Sequence, residues 1–210
     1  MNTNKNSYII IYSAILVVVV AFLLAFVYAA LKPQQDINVA LDKKKQILAS
    51  LNIRDLSDAD AAAKYTEVVE CDEIIDTNAA VINKGEKGGE NAGFKLNSAD
   101  LKEGKLAVYV CNVDGEKKYV IPVYGMGLWG SIWGYIALDA DKNTIYGAYF
   151  DHQGETAGLG AEIKDSKAWQ DHFKGKKIFS ADGKAVAIAV KKASDVKNPA
   201  SEVDAVTGAT

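Results

Sequence analysis

A long uninterrupted apolar run near the N-terminus dominates the pattern of hydrophobic and polar positions. Residues 8–31, YIIIYSAILVVVVAFLLAFVYAAL, carry no charge. As a helix, this run would be about 36 Å long, which is enough to cross a hydrocarbon core of about 30 Å. Tyr8, Tyr12 and Tyr28 lie towards its ends, where aromatic belts meet the membrane surface. The pattern predicts a transmembrane helix that ends at Pro33.

A cleaved signal peptide is the competing interpretation of this run. The residues Val27, Tyr28 and Ala29 resemble a small-residue cleavage site. Signal peptides, however, have apolar regions of about 7–15 residues after a basic start, and only Lys5 precedes this much longer run. We therefore favour a retained anchor. Its orientation stays open, because lysines flank it on both sides.

The segments after the anchor alternate between helical and irregular patterns. Ile37, Leu41, Leu48 and Leu51 follow a helical spacing, with Lys43–Lys45 on the polar side, where we expect solvent rather than lipid headgroups. Residues 83–97, NKGEKGGENAGFKLN, are rich in Gly, Lys and Glu and predict an exposed loop.

Two β-hairpins are predicted next. Residues 106–113 and 119–123 flank Asp114-Gly115, a signal for a type I′ turn, and Pro122 indicates an edge or a bulge. Residues 136–138 and 144–150 flank a polar turn at 139–143. This turn lacks the glycine and the final glutamate of a calcium loop, since Thr144 and Phe150 occupy those positions.

The remaining elements complete a mixed fold. Residues 166–173 predict a short helix with Ser166 as its cap and Trp169 and Phe173 on one face, ending at Gly175. Residues 185–190 predict a strand. We therefore predict an α+β protein in which residues 1–33 form a single N-terminal transmembrane anchor and residues 34–210 form one domain with an antiparallel sheet and flanking helices.

Composition and charge remove several classes of function. The chain of 210 residues has a net charge of −3 and no basic stripe with interleaved aromatics, which argues against nucleic acid as a partner. Cys71 and Cys111 do not have metal-ligand spacing. We expect them to be buried small apolar residues, although a disulfide would be permitted outside the cytoplasm.

Candidate catalytic and metal-binding residues are scarce. The chain has two histidines, His152 and His172, but no nucleophile-elbow motif such as Gly-x-Ser-x-Gly to place a serine beside either of them. His152 and Glu155 alone would provide too few ligands for a zinc ion. Neither a dinucleotide fingerprint nor a phosphate-binding loop is present. We predict no catalytic residue, no metal ligand and no NADH site in this chain.

Two glycine-rich segments are the best candidates for ligand contact. Residues 124–135, YGMGLWGSIWGY, intersperse glycines with tryptophans and tyrosines, and residues 154–160, GETAGLG, form a polar turn. Glycine lets backbone approach a flat ligand, and aromatic rings provide stacking area. Each segment alone is more often a tight turn beside the core.

Four motifs in fixed order nevertheless resemble a known family. The segments 124–130 (YGMGLWG), 151–160 (DHQGETAGLG), 173–176 (FKGK) and 204–210 (DAVTGAT) are similar in order and content to the C subunit of the sodium-translocating NADH:quinone oxidoreductase. The resemblance covers about the last ninety residues and the single N-terminal helix. Ala157 stands where the family commonly has proline. The G subunit of the RNF electron-transport complex shares the terminal motif, but the Gly-Leu-Trp-Gly segment favours the sodium pump.

The resemblance implies a cofactor and its site. FMN is expected to be joined through a phosphoester to the hydroxyl of Thr210, with Asp204 as a supporting or simple turn residue. The flavin ring must then be tuned by non-covalent contacts. The further cofactor-binding residues that we predict are Leu128, Trp129, Glu155, Thr156, Gly158, Leu159, Thr207, Gly208 and Ala209.

The same resemblance implies a setting for the chain. It is expected to relay electrons in a multi-subunit membrane pump of the bacterial inner membrane, with its domain facing the periplasm. Its expected partners are the other subunits, a flavin transferase and membrane lipid. Because the family continues beyond this threonine, we expect residues after Thr210. A stand-alone extracytoplasmic flavoprotein and a tethered structural domain without flavin remain alternatives.

Overall fold

The computed structural model describes residues 6–180, 183–185 and 188–209. The chain divides into two compact units, Met1–Asp42 and Lys43–Thr210. The boundary between residues 33 and 34 that we predict for the anchor and the domain stays a prediction.

One helix, α1 (Asn6–Ser50), contains the apolar run and continues far beyond it. Among the described residues it is the one helix long and apolar enough to cross a membrane, with a mean hydropathy of 3.1 in its most apolar window. The prediction that Pro33 ends this helix is wrong, and the separate helix predicted from Ile37 is part of α1. Proline removes one backbone hydrogen bond. Hydrogen bonds across that turn, Lys32 to Asp36 at 2.5 Å and Gln34 to Asn38 at 3.0 Å, support its continuation.

The final turns of α1 belong to the folded domain, and the basic residues Lys43–Lys45 are half-buried rather than solvated as predicted. Their partners are the Phe94 carbonyl for Lys43 at 2.6 Å, Glu90 for Lys44 at 2.7 Å and Asp58 for Lys45 at 2.5 Å. Burial lowers the pKa of Lys43 to about 8, and the nearby Asp72 carboxylate opposes that shift. These contacts attach the end of α1 to the domain.

A six-stranded antiparallel sheet forms the centre of the domain, in the order β2-β1-β3-β4-β5-β6. Its strands are β1 (Val69–Ile75), β2 (Val81–Lys84), β3 (Leu106–Val113), β4 (Glu116–Met126), β5 (Ser131–Leu138) and β6 (Ile145–His152). Asp114 and Gly115 connect β3 to β4 with positive φ values of 52° and 85°, as a type I′ turn requires. Both predicted hairpins and the α+β class are confirmed.

Strand β4 is longer than its neighbour β3. The two strands pair from Val113↔Glu116 to Tyr109↔Val120, whereas β4 and β5 pair as far as Met126↔Ser131. Pro122 therefore lies where β4 is paired on one side only, which explains how a residue without an N–H fits into an inner strand. The β4–β5 hairpin extends past the rest of the sheet.

Helices and the C-terminal segment cover the sheet. They are α2 (Asp58–Val68), α3 (Ser98–Lys102), α4 (Glu162–Asp165), α5 (Lys167–Asp171) and a two-stranded parallel ladder of β7 (Ala189–Lys191) and β8 (Glu202–Asp204). Ser166 caps α5 as predicted, by accepting the Trp169 N–H. The rings of Trp169 and Phe173 are 5.3 Å apart and pack with Phe150. Of the strand predicted at 185–190, residues 186 and 187 lie outside the described residues.

The predicted loop at 83–97 is partly buried rather than exposed, because it wraps around a buried carboxylate. Asp72 is fully buried and accepts the backbone N–H groups of Ala92 at 2.7 Å and Phe94 at 2.8 Å. A Cβ atom on Gly85 would lie 1.9 Å from an Asp72 carboxylate oxygen, so only glycine fits there. Composition indicated a loop but did not reveal this anchor.

The two cysteines are buried, as predicted, and both are free, a point that the sequence left open. Cys71 and Cys111 lie on the paired strands β1 and β3. Burial raises the pKa of Cys111 to about 12, which keeps this thiol protonated and unreactive.

Candidate functional site

The first predicted cofactor segment is the tip of the β4–β5 hairpin. The Gly127 N–H donates to the Gly130 carbonyl at 2.8 Å and closes the turn around Leu128 and Trp129. Both side chains project into solvent, with 72% of Leu128 and 64% of Trp129 exposed. Large apolar side chains held exposed on a short turn are available to contact a flat ligand.

The second segment, residues 154–160, packs against both of the others. A Cβ on Gly154 would lie 2.5 Å from the Trp129 carbonyl oxygen. At the other end, a Cβ on Gly160 would lie 2.9 Å from the Gly208 carbonyl oxygen. The loop therefore contacts the hairpin tip at one end and the terminal motif at the other. The structure brings together three segments that are far apart in sequence.

Between these ends, the loop is shaped by its own hydrogen bonds. The Thr156 carbonyl accepts the N–H groups of Leu159 and Ala161, each at 3.1 Å. Gly158 adopts a positive φ of 72°, a conformation that favours glycine. Leu159 is 47% exposed and packs near Gly208. The loop thus presents one apolar side chain and a tight backbone turn.

The terminal motif is anchored before it reaches its last residue. The Trp169 indole N–H donates to the Asp204 carbonyl at 2.6 Å, and the Ala205 N–H donates to the Lys191 carbonyl at 2.7 Å. Thr207 and Gly208 then form an exposed turn. Thr210, the predicted attachment residue, lies outside the described residues.

An apolar cavity lies beside the terminal motif. It has a volume of about 530 Å³, and its described lining includes Val123 and Ile132 from the sheet, Trp169 from α5 and Ala209 from the terminal motif. Of the predicted cofactor residues that the structure describes, Ala209 is therefore the one that lines this cavity.

A buried carboxylate lacks a partner within the site. Both carboxylate oxygens of Glu155 are buried, and neither has a hydrogen-bond partner among the residues that the structure describes. One of them lies 2.1 Å from where a Gly160 Cβ would be. Burying an unpaired carboxylate is costly. Its position beside Gly160 and Gly208 fits a ligand that donates a hydrogen bond there.

This geometry predicts an effect of Glu155→Leu on the chain prepared without cofactor. Because the buried carboxylate has no described partner, its replacement by an apolar side chain should raise the free energy of unfolding by about 1–3 kcal/mol. Chemical denaturation of the full chain in detergent measures this change. Glu103→Leu, at a side chain that is 65% exposed, should leave stability nearly unchanged. A loss of stability specific to Glu155→Leu would show that the carboxylate is already satisfied.

The structure also reveals site-supporting residues that pattern analysis missed. Gln46 on α1 and Lys164 on α4 both contact the carboxylate of Asp151, at the start of the 151–160 motif. Nothing in the local sequence marks either residue, because both contacts depend on distant chain segments. In the described part of the chain, no group of three or more His, Cys, Asp or Glu residues could hold a metal ion.

Comparison with protein families and relatives supports a flavin-related site. Residues 127–210 match the family model of the FMN-binding domain, a range that contains the hairpin tip from Gly127 onward, the loop at 154–160 and the terminal motif. The C subunit of the Na(+)-translocating NADH-quinone reductase of Vibrio vulnificus strain YJ016 is 31% identical, covering 86% of this chain and 75% of the relative. The corresponding protein of Haemophilus ducreyi is 31% identical, covering 93% and 80%.

Two solved structures of C subunits of this reductase are also similar to this chain. The crystal structure of the C subunit of the Na(+)-translocating NADH-quinone reductase from Parabacteroides distasonis is 39% identical, with a TM-score of 0.75, and covers 85% of each chain. The crystal structure of Shewanella oneidensis NqrC is 26% identical, with a TM-score of 0.63, and covers 82% of this chain and 86% of that one.

Proposed function

Because the chain belongs to the family formed by the C subunits of Na(+)-translocating NADH-quinone reductases, we propose that it is the FMN-carrying, membrane-anchored electron-transfer subunit of such a complex. The match of residues 127–210 to the FMN-binding domain carries this proposal. When bound, FMN supplies reversible electron transfer. The protein's part is to bind it, orient it and tune its environment.

The proposed cofactor contacts follow from the three assembled segments. Leu128 and Trp129 contact the flat ring, since both side chains are exposed on the hairpin tip. Glu155 accepts a hydrogen bond from the ring's polar edge, which would satisfy a carboxylate that has no partner among the described residues. The remaining contacts proposed for the loop and the terminal turn are Thr156, Gly158, Leu159, Thr207, Gly208 and Ala209.

We further propose covalent attachment at Thr210. A flavin transferase would direct the Thr210 hydroxyl oxygen to the FMN phosphorus of FAD. A phosphoester bond forms, the pyrophosphate bond breaks, AMP leaves and the hydroxyl proton is released. Gly208 has a positive φ of 83°, and it precedes Ala209. Two small residues before the hydroxyl leave room for a second protein to reach it.

The proposed setting is the bacterial inner membrane. Helix α1 supplies one span with lipid contact, and the folded domain faces the periplasm. Electrons enter and leave through redox centres of neighbouring subunits, with no NADH site in this chain. The absence of a dinucleotide fingerprint from the sequence agrees with this role.

In-gel fluorescence of the denatured wild-type chain tests the covalent flavin. Full-length chain produced together with a flavin transferase should give a fluorescent band at its own mass, and chain produced without the transferase should be dark. A dark band in both preparations would overturn covalent attachment.

Purification of the chain from its own host through an affinity tag tests whether it assembles with other subunits. Recovery of the chain without other membrane subunits would favour a stand-alone flavoprotein.

A further inference from the structure

A buried polar network connects the end of α1 to the proposed flavin site. Gln46 is 5% exposed and Asp151 is 3% exposed. The Gln46 Nε2 donates to the Asp151 Oδ2 at 3.1 Å, and its Oε1 accepts the Trp133 indole N–H at 3.1 Å. One side-chain amide thus contacts both β5 and β6.

The amide orientation follows from the chemistry of its two partners. An ionised carboxylate only accepts hydrogen bonds, and an indole N–H only donates. The Gln46 nitrogen must therefore face Asp151, and the oxygen must face Trp133. Neither contact survives if the amide turns over. Because Gln46 and Asp151 are buried, losing either contact removes a hydrogen bond that water cannot readily replace.

Asp151 also connects the two ends of the loop at 154–160. The Lys164 ammonium, on α4 after the loop, lies 3.0 Å from each Asp151 oxygen. The His152 N–H donates to the Asp151 Oδ1 at 2.8 Å, and the His152 Nδ1 accepts the Glu155 N–H at 3.1 Å. Hydrogen bonds therefore lead from Gln46 to the backbone of the residue with the unpartnered carboxylate.

Trp133 is connected to the other flavin segment through the backbone of its own strand. It lies on β5, which leads directly to the hairpin tip that carries Leu128 and Trp129. The hairpin and the loop also contact each other through the Gln153 N–H, which donates to the Ser131 carbonyl at 2.9 Å. Two segments that are distant in sequence thus share one buried anchor on α1.

We infer that Gln46 is a positioning residue for the flavin site, which it holds through Trp133 on one side and through Asp151 and Lys164 on the other. This inference rests on the proposed function. Gln46 lies in the final turns of α1, which belong to the folded domain, so these turns fix the flavin-facing segments. The position of the flavin is thereby set by the end of α1 as well as by the sheet.

Hydrogen exchange measured by mass spectrometry on the full chain in detergent tests the anchor. Gln46→Leu, which retains volume but no polar atoms, should speed exchange by about tenfold or more in both 127–134 and 152–163. Trp133→Phe, which removes the indole N–H, should speed exchange mainly in 127–134. Gln46→Glu keeps an acceptor for Trp133 but places a second carboxylate beside Asp151, so it should speed exchange mainly in 152–163. Ser50→Ala is the control, because among the described residues this buried hydroxyl donates to the Ile47 carbonyl of its own helix and to no flavin-facing segment.

A second measurement separates positioning from general stability. In the flavin-loaded chain, Gln46→Leu should change the relative affinity for oxidised and reduced flavin by about tenfold, or about 30 mV for a two-electron couple. The Ser50→Ala potential should match the wild type. Faster exchange throughout the sheet with an unchanged potential would overturn the inference, as would unchanged exchange in both segments. Hydrogen exchange can also be measured without flavin. A dark wild-type gel would therefore refute the covalent flavin, and the exchange data would still decide whether Gln46 is the shared anchor.

Discussion

Replacement of Thr210 by valine should abolish flavin fluorescence of the denatured chain completely. Valine has nearly the same shape as threonine but no hydroxyl, so no oxygen is available to bond to the FMN phosphorus. The expected loss is all-or-none, unlike the partial losses expected from weakened non-covalent contacts. In-gel fluorescence after coproduction with a flavin transferase measures it.

Thr207→Val provides the matched control in the same motif. Thr207 lies in the exposed turn with Gly208 and carries the other hydroxyl of the last four residues. This variant should keep a fluorescent band at the mass of the chain. Fluorescence that persists in Thr210→Val and disappears in Thr207→Val would move the attachment site to Thr207. Fluorescence in both single variants would place the flavin on another residue.

Gly160→Ala should slow flavin incorporation by about tenfold or more. The added methyl would lie 2.1 Å from a Glu155 carboxylate oxygen and 2.9 Å from the Gly208 carbonyl oxygen, so the carboxylate and the terminal backbone must both move. Overpacking of this kind costs about 1–3 kcal/mol, and 1.4 kcal/mol corresponds to a factor of ten. The initial rate of fluorescence gain, with purified chain, FAD and transferase, measures the effect.

Gly125→Ala is the matched control for the added methyl group. Gly125 belongs to the other glycine-rich segment, but a Cβ there would meet nothing within 4 Å. This variant should incorporate flavin at the wild-type rate. An equal rate for Gly160→Ala would show that the contact between the loop and the terminal motif does not shape the acceptor site.

Local patterns predicted the elements whose geometry depends on neighbouring residues. The Asp114-Gly115 turn is a clear example, because a two-residue hairpin needs positive φ at both positions and these residue types tolerate it. The cap at Ser166 is another, since its hydroxyl only has to reach the backbone three residues later. Helix α1 shows the limit of such rules. Pro33 is a local stop signal, yet favourable contacts on both sides of it allow the helix to continue.

For the candidate site too, some features can be predicted from the sequence and others depend on the tertiary structure. The residue types of its three segments, their glycines and their order are visible in the sequence, and so is the length of the apolar run. Only the tertiary structure places Gly154 against Trp129 and Gly160 against Gly208, leaves the Glu155 carboxylate buried without a described partner, and connects Gln46 to Asp151. In strands and helices, side chains on one face recur every two or 3.6 residues, so these elements leave a periodic hydrophobic pattern in the sequence. The contacts between these segments join residues 25 to 105 positions apart and have no such period, because they depend on how the whole sheet pairs and packs.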